Sequence, residues 1–167
     1  LMTPDGTLYI GHENGVSTLL PGINQYAWIG QQHNEQPGLQ QPNVQSVFSE
    51  QHGSIWIGTS GTGLYRFDPA VQQLQQFSPD PAADYPFPSN AVWAIRQDPD
   101  GSLVLGTSAG VVRLQPQSQQ WQLLNGALPS QDVFRLSIAP DRSIWISMWS
   151  GGIAKLNPQG KVEALWR

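Results

Sequence analysis

Cysteine is absent from the 167 residues, which excludes disulfides, thiolate metal sites and thiol nucleophiles together and leaves the compartment open. Charge is also scarce. Eight Lys and Arg face twelve Asp and Glu, and the only lysines are Lys155 and Lys161. A net charge of −4 gives no basic footprint for nucleic acid or anionic lipid. No apolar run approaches the ~18 residues of a membrane span, so this stretch predicts no direct membrane contact, and nothing resembles a signal peptide. Helical periodicity with caps is missing throughout. The chain opens at Leu1-Met2, a few residues before its first repeat core, and is expected to be a segment of something longer, with targeting signals elsewhere.

Glycine, proline and glutamine are plentiful instead: 17 Gly, 14 Pro and 20 Gln. The first two suit a turn-rich all-β chain, and the amides give a surface that hydrogen-bonds without strong charge. One phrase recurs four times: Gly6-Thr-Leu-Tyr-Ile-Gly11, Gly53-Ser-Ile-Trp-Ile-Gly58, Gly101-Ser-Leu-Val-Leu-Gly106 and Arg142-Ser-Ile-Trp-Ile-Ser147. Self-similarity at intervals of 47, 48 and 41 residues marks one duplicated supersecondary unit.

The second unit shows the grammar. Val44 to Ser49 alternates and reads as a strand; Glu50 to Gly53 turns the chain; Ile55 to Gly58 is apolar on both faces, as a strand buried on both sides should be. A glycine-rich loop, Thr59 to Gly63, precedes a third strand, Leu64 to Phe67, and a fourth follows at Leu74 to Phe77. Pro21, Pro69, Pro116 and Pro158 each stop the third strand, because proline cannot donate to a ladder. First strands are expected to start at Asn43-Val44, Asn90-Ala91 and Asp132-Val133. Four short antiparallel strands per unit of roughly 40–50 residues predict a β-propeller segment of about four four-stranded blades. The repeats fall near 1–30, 43–78, 90–124 and 132–167 of a single domain, as an open arc or part of a larger, 7–8-bladed propeller. Trp56, Trp93, Trp121 and Trp145 are expected to pack between blades. Such an arc leaves apolar end faces, predicted to be covered by self-association or by further blades of the parent chain.

The stretch Asp100 to Leu114, like Gly53 to Asp68 with His52 at its acidic turn position, resembles the two-component regulator propeller repeat. That pattern is approximately Asn-Val, a short strand, Asp-x-x-Gly-x-Leu-Trp-Ile-Gly-Thr, a glycine-rich loop, Gly-Leu-x-Arg and an Asp-Pro-like break. The fourth copy departs most, with Arg142 for the turn glycine and Ser147-Met148-Trp149 for Gly-Thr-Ser. The resemblance implies the extracytoplasmic, periplasmic sensor region of an inner-membrane hybrid histidine kinase or diguanylate cyclase, sensing ligands that are often glycan fragments. Kinase or cyclase would lie outside this chain.

In such a propeller the loops between second and third strands share a face with the entries to the first strands. That face should carry His12, Glu13, Asn43, Thr59, Ser60, Tyr85, Asn90, Thr107, Ser108, Asp132, Met148 and Trp149, together with the connector from His33 to Gln41. Amides, hydroxyls, a few carboxylates and an exposed aromatic suit a small polar or glycan ligand. Trp149 stands out because Ser60 and Ser108 occupy its place in two other units. The plainer reading has Thr59 and Thr107 capping turns. Catalytic signals are thin. His12, His33 and His52 have no metal-ligand spacing, His52 is expected on the opposite face, and no nucleophile elbow or phosphate loop is present. We therefore expect no catalysis, metal or cofactor in this segment. The alternatives are a propeller enzyme, like a streptogramin lyase or acting on polysaccharide, with His12-Glu13 as acid–base pair, and a protein-interaction or dimerisation platform.

Overall fold

A computed structural model describes residues 1–22, 26–29, 39, 43–50, 53–80, 87–124 and 126–167. His33, His52 and Tyr85 lie outside these residues, as does the connector around His33 except Leu39. The described residues form fifteen strands in four antiparallel sheets. The first holds β1 (Leu8–His12), β2 (Gly15–Leu19) and β3 (Tyr26–Ile29). The second holds β4 (Val44–Ser49), β5 (Ile55–Thr59), β6 (Leu64–Asp68) and β7 (Gln73–Phe77). The third holds β8 (Val92–Gln97), β9 (Leu103–Thr107), β10 (Gly110–Gln115) and β11 (Gln120–Leu123). The fourth holds β12 (Val133–Ile138), β13 (Ile144–Met148), β14 (Gly152–Leu156) and β15 (Val162–Trp166). Each sheet is a meander in chain order. The first has three strands rather than four; Met2 bridges Leu8, and the Leu1 and Tyr9 backbones exchange hydrogen bonds of 3.0 and 2.8 Å, where the inner strand of the blade belongs.

The sheets stack face to face, with β4, β8 and β12 side by side on the inner edge. Each seam between neighbours holds one apolar cluster. Tyr9, Val16 and Ile29 meet Ile55, Ile57, Tyr65 and Phe67 at the first; Trp56, Leu64 and Phe77 meet Ile95, Leu103, Leu105 and Leu114 at the second; Val104 and Val111 meet Leu136, Ile144, Ile146 and Leu156 at the third. β5 and β9 are buried along their whole length because they feed two seams. A Cβ on the phrase's last glycine would strike the next blade's entry strand: at Gly58 it would lie 2.7 Å from the Val92 carbonyl, and at Gly106 2.8 Å from that of Val133. In the fourth blade Ser147 occupies this position, and there it faces no further blade of this chain.

The turn side of the third seam is polar. Asp98, fully buried, accepts from Arg113 Nη2 (3.1 Å) and from Arg142 Nε (2.8 Å) and Nη2 (3.1 Å). Arg142 also pairs with Asp100. Arg142 holds φ +65°, the left-handed conformation that glycine takes at Gly53 and Gly101, so the fourth phrase departs from the others because an inter-blade ion pair has taken the glycine's place. The second seam has a simpler version: Glu50 accepts from Trp56 Nε1 at 3.0 Å and from Arg66 at 3.4 Å.

Among the described residues the two end faces have no neighbouring sheet. Ile10 and Trp28 are exposed on one, and Trp145, Ile153 and Trp166 on the other, where the two indoles stack at 5.3 Å. Trp56 is buried between blades and Trp121 packs against the same cluster as expected, but Trp145 is 38 % exposed because the blade it would face is not in this chain.

Replacing Gly106 with alanine is expected to cost about 1–3 kcal/mol through overpacking, with Ser147→Gly near neutral, in urea denaturation. Asp98→Asn should cost about 3–5 kcal/mol by stranding two guanidiniums. Burial pushes the Asp100 carboxyl up, but the Ser102 hydroxyl and amide and the Arg142 guanidinium outweigh it and bring its pKa below 3.8. A depressed folded pKa means that this stabilisation is complete above the ordinary value and drains as pH falls through the folded one. Arg142→Gly should therefore shift the acid unfolding transition followed by circular dichroism to higher pH.

Candidate functional site

The loop side is built from strand ends opposite the Asp98 network. A single backbone bond ties each loop to its own blade's entry: Ser60 N donates to Asn43 O (3.2 Å), Ser108 N to Ala91 O (3.2 Å) and Trp149 N to Asp132 O (3.0 Å). These bonds make Ser60, Ser108 and Trp149 equivalent, as the repeat alignment expects. They also correct the strand entries by one residue, since Ala91 rather than Asn90 matches Asn43 and Asp132. Asn90 instead accepts, through its carbonyl, from Gly63 N of the preceding blade at 2.7 Å.

Several predicted site residues belong to the scaffold. Thr59 and Thr107 are fully buried; their hydroxyls donate to Gly63 O (2.8 Å) and Gly110 O (2.9 Å) and accept from Thr62 N and Ala109 N. They close their loops, which was the plainer expectation. Met148 is buried in the third seam's apolar cluster and offers nothing to a ligand. Ser108, exposed, shares a 2.6 Å bond with Ser89, which itself caps the entry at Ala91. His12 lies at the end of β1 on the open face of the first blade. Its Nδ1 accepts from Asn14 N (3.2 Å), which leaves the proton on Nε2 for Ser17 Oγ (3.1 Å), and its ring packs on Trp28 at 5.3 Å. Glu13 is exposed and serves the blade junction through its carbonyl, which accepts from Asn43 N at 3.0 Å.

Asp132 and Trp149 come together with two residues that the sequence reading placed otherwise or passed over. The pairing of β4, β8 and β12 with their neighbours slips at the same point in each blade, between Val44 and Ser46, Val92 and Ala94, and Val133 and Arg135. The extra residues are Gln45, Trp93 and Phe134. A bulge re-aims its residue out of strand alternation, so Trp93 leaves the apolar seam assigned to it and reaches the loop side, where Nε1 donates to Asp132 Oδ1 of the next blade at 2.8 Å. Phe134 lies 6.0 Å from Trp93 and 5.5 Å, edge to face, from Trp149. The Arg135 guanidinium stands 4.0 Å over the Phe134 ring. In the second blade the bulge carries Gln45, which donates to Asn43 Oδ1 at 3.0 Å.

The outcome is a row of three aromatics, Trp93, Phe134 and Trp149, ending in an indole that is 73 % exposed, with the Asp132 carboxylate beside it. Such a row can stack a flat or C–H-rich ligand face while the carboxylate and neighbouring loop amides and hydroxyls take its hydrogen bonds. The sequence signal was a large residue directly after the entry valine in Val92-Trp93 and Val133-Phe134. Among the described residues no three His, Cys, Asp or Glu groups gather as metal ligands.

Comparison with known proteins follows the same lines. Over the whole chain, the fold matches the extracellular domain of B. thetaiotaomicron BT3049, assigned to a hybrid two component system, with TM-score 0.86 and 18 % identity, covering 24 % of that domain. The extracellular domain of BT4673 from the same organism, assigned to a one component system, matches over 93 % of this chain and 20 % of its own length, with TM-score 0.70 and 20 % identity. Virginiamycin B lyase from Staphylococcus aureus matches over 94 % of this chain and 54 % of its own, with TM-score 0.67 and 13 % identity. The chain thus spans about a quarter or less of the two extracellular domains. None of the curated proteins matches it. Residues 86–109, the entry and second strand of the third blade, match the family described as Two component regulator propeller. That match spans a single unit, whose four-strand order and entry-strand bulge recur in the second and fourth blades.

Proposed function

We propose that the chain is the ligand-sensing part of an extracytoplasmic propeller in a bacterial signal-transduction receptor, located in the periplasm and coupled to an output domain outside these residues. The extracellular, signalling character of the BT3049 and BT4673 domains supports this context. The ligand is a small polar molecule or glycan fragment, and recognition rather than catalysis is its role here. One observation carries the reading: the bulges at Trp93 and Phe134 turn two aromatics toward Trp149 and Asp132 on the loop side. Ser60, Ser108 and Asn43 supply the polar surroundings, with Asn90 at the periphery.

The fold likeness to virginiamycin B lyase keeps a propeller enzyme as the second reading. His12 is a poor base for it, because both ring nitrogens are engaged and the ring leans on Trp28. The exposed end faces support a further role in assembly, through further blades of the parent protein or a second copy.

Titration of the chain with a panel of neutral and acidic oligosaccharides, followed by tryptophan fluorescence, tests the site. Trp149→Ala is expected to weaken the best ligand about tenfold, the order of one lost aromatic stack, without lowering the melting temperature. Unchanged affinity in that variant would remove Trp149 from the site, and turnover of any panel member would favour the enzyme.

A further inference from the structure

The repeats allow each seam to be compared with the others at equivalent positions, and on the turn side the first seam differs. In the third seam, Arg113 of one blade and Arg142 of the next converge on Asp98 and Asp100. In the second, Arg66 reaches Glu50. In the first, Thr18 stands where Arg66 and Arg113 stand, Gly53 stands where Arg142 stands, and Thr3 replaces the buried acid. No guanidinium enters this seam from its own blades. It holds instead a cavity of about 590 Å³, lined by Pro4, Asp5, Ile55, Asp68, Pro69 and Ala70 among others.

A second observation points to a ligand. Tyr9 occupies the place of Trp56, whose indole donates to Glu50. With threonine at position 3, whose single hydroxyl proton goes to the Asp5 carboxylate or the Thr7 carbonyl, the Tyr9 hydroxyl has no hydrogen-bond partner among the described residues, although Tyr9 is only 7 % exposed and lines the cavity. Burial, with the Asp5 charge behind it, holds the phenol's pKa above its ordinary value, so it stays protonated. Asp5 caps its turn as Asp100 does, by accepting from the amide and hydroxyl two residues on. Asp5 also accepts from the Thr3 hydroxyl, so of a carboxylate's roughly four acceptor positions one remains, on Oδ2, the oxygen by which Asp100 holds Arg142.

We propose that this cavity between the first two blades is a second binding site, on the side opposite the aromatic row, for an alkylguanidinium group that takes the place Arg142 fills in the third seam. Its aliphatic stem lies along Ile55, Pro69 and Ala70, and its head pairs with Asp5. The group belongs either to a free small molecule or to an arginine of a partner polypeptide.

The test is calorimetric titration of the whole chain with butylguanidinium chloride, with butylurea as the neutral isostere and the peptide Gly-Arg-Gly as the polypeptide source. Saturable binding of butylguanidinium in preference to butylurea is expected, about fivefold weaker in Asp5→Asn, the range of an exposed ion pair. Tighter binding of the peptide than of butylguanidinium assigns the source to a partner, and the reverse to a small molecule. A Cβ at Gly53 would meet nothing within 4 Å, so the decisive variant is Gly53→Arg, which supplies the guanidinium from within and should abolish binding. Gly53→Ala carries the same backbone strain at φ +90° without the charge and should bind as the wild type does. Equal affinity for butylguanidinium and butylurea, or undiminished binding in a folded Gly53→Arg variant, overturns the proposal.

Discussion

Face-to-face packing of one sheet on the next is the interaction on which everything else in this molecule depends. A single four-stranded meander has two faces and buries neither alone; stacking buries them in pairs, one apolar cluster per seam. The consequence runs back into the sequence. A strand feeding two seams must be apolar on both sides, as β5 and β9 are, and the strand end nearest the next blade must carry no side chain, as at Gly58 and Gly106. Where the stack ends, the requirement lapses: Ser147 replaces the glycine, and Trp145 emerges into solvent with Trp166 beside it.

Polar contacts are laid over this apolar frame unevenly. An acid before the second-strand turn and an arginine on the third strand occur together in the second and third blades and are both missing from the first, with Thr3 and Thr18, and from the fourth, with Ala139 and Lys155. Joint loss is what a buried carboxylate demands, since either partner alone would leave a charge or a donor stranded. Lys155 turns to Glu163 and Asp141 at the surface. The first seam keeps neither partner, and what remains there is a cavity and a phenol hydroxyl without a partner among the described residues.

The blade architecture was legible because it is written in short-range terms: glycines at turns, prolines at strand ends and a two-sided apolar phrase all act within a few residues. The spans of β4 and β15 follow directly from Val44 to Ser49 and Val162 to Trp166. The site was only half legible. Trp149 announced itself by replacing serine in an aligned loop. Trp93 and Phe134 did not, because a bulge inserts a residue without a glycine or proline to mark it, and strict alternation then assigns the side chain to the wrong side. Arg142 looked like decay of the repeat because its partners, Asp98 and Asp100, are more than forty residues away in sequence.

These two kinds of misreading share a cause that also bears on function. Residues that keep the repeat serve the seams, and those that depart from it answer to something outside the repeat: another blade's carboxylate for Arg142, the loop side for Trp93, Phe134 and Trp149. For Arg142 the other partner is in view, so the departure is fully accounted for within the chain. For Trp149 the chain supplies only an edge contact from Phe134, and most of the indole remains in solvent. A large apolar surface held out on a rigid, backbone-tied loop gains nothing from the fold. That is why the aromatic row, rather than the buried threonines or the engaged histidine, carries the proposal that this face is a recognition surface.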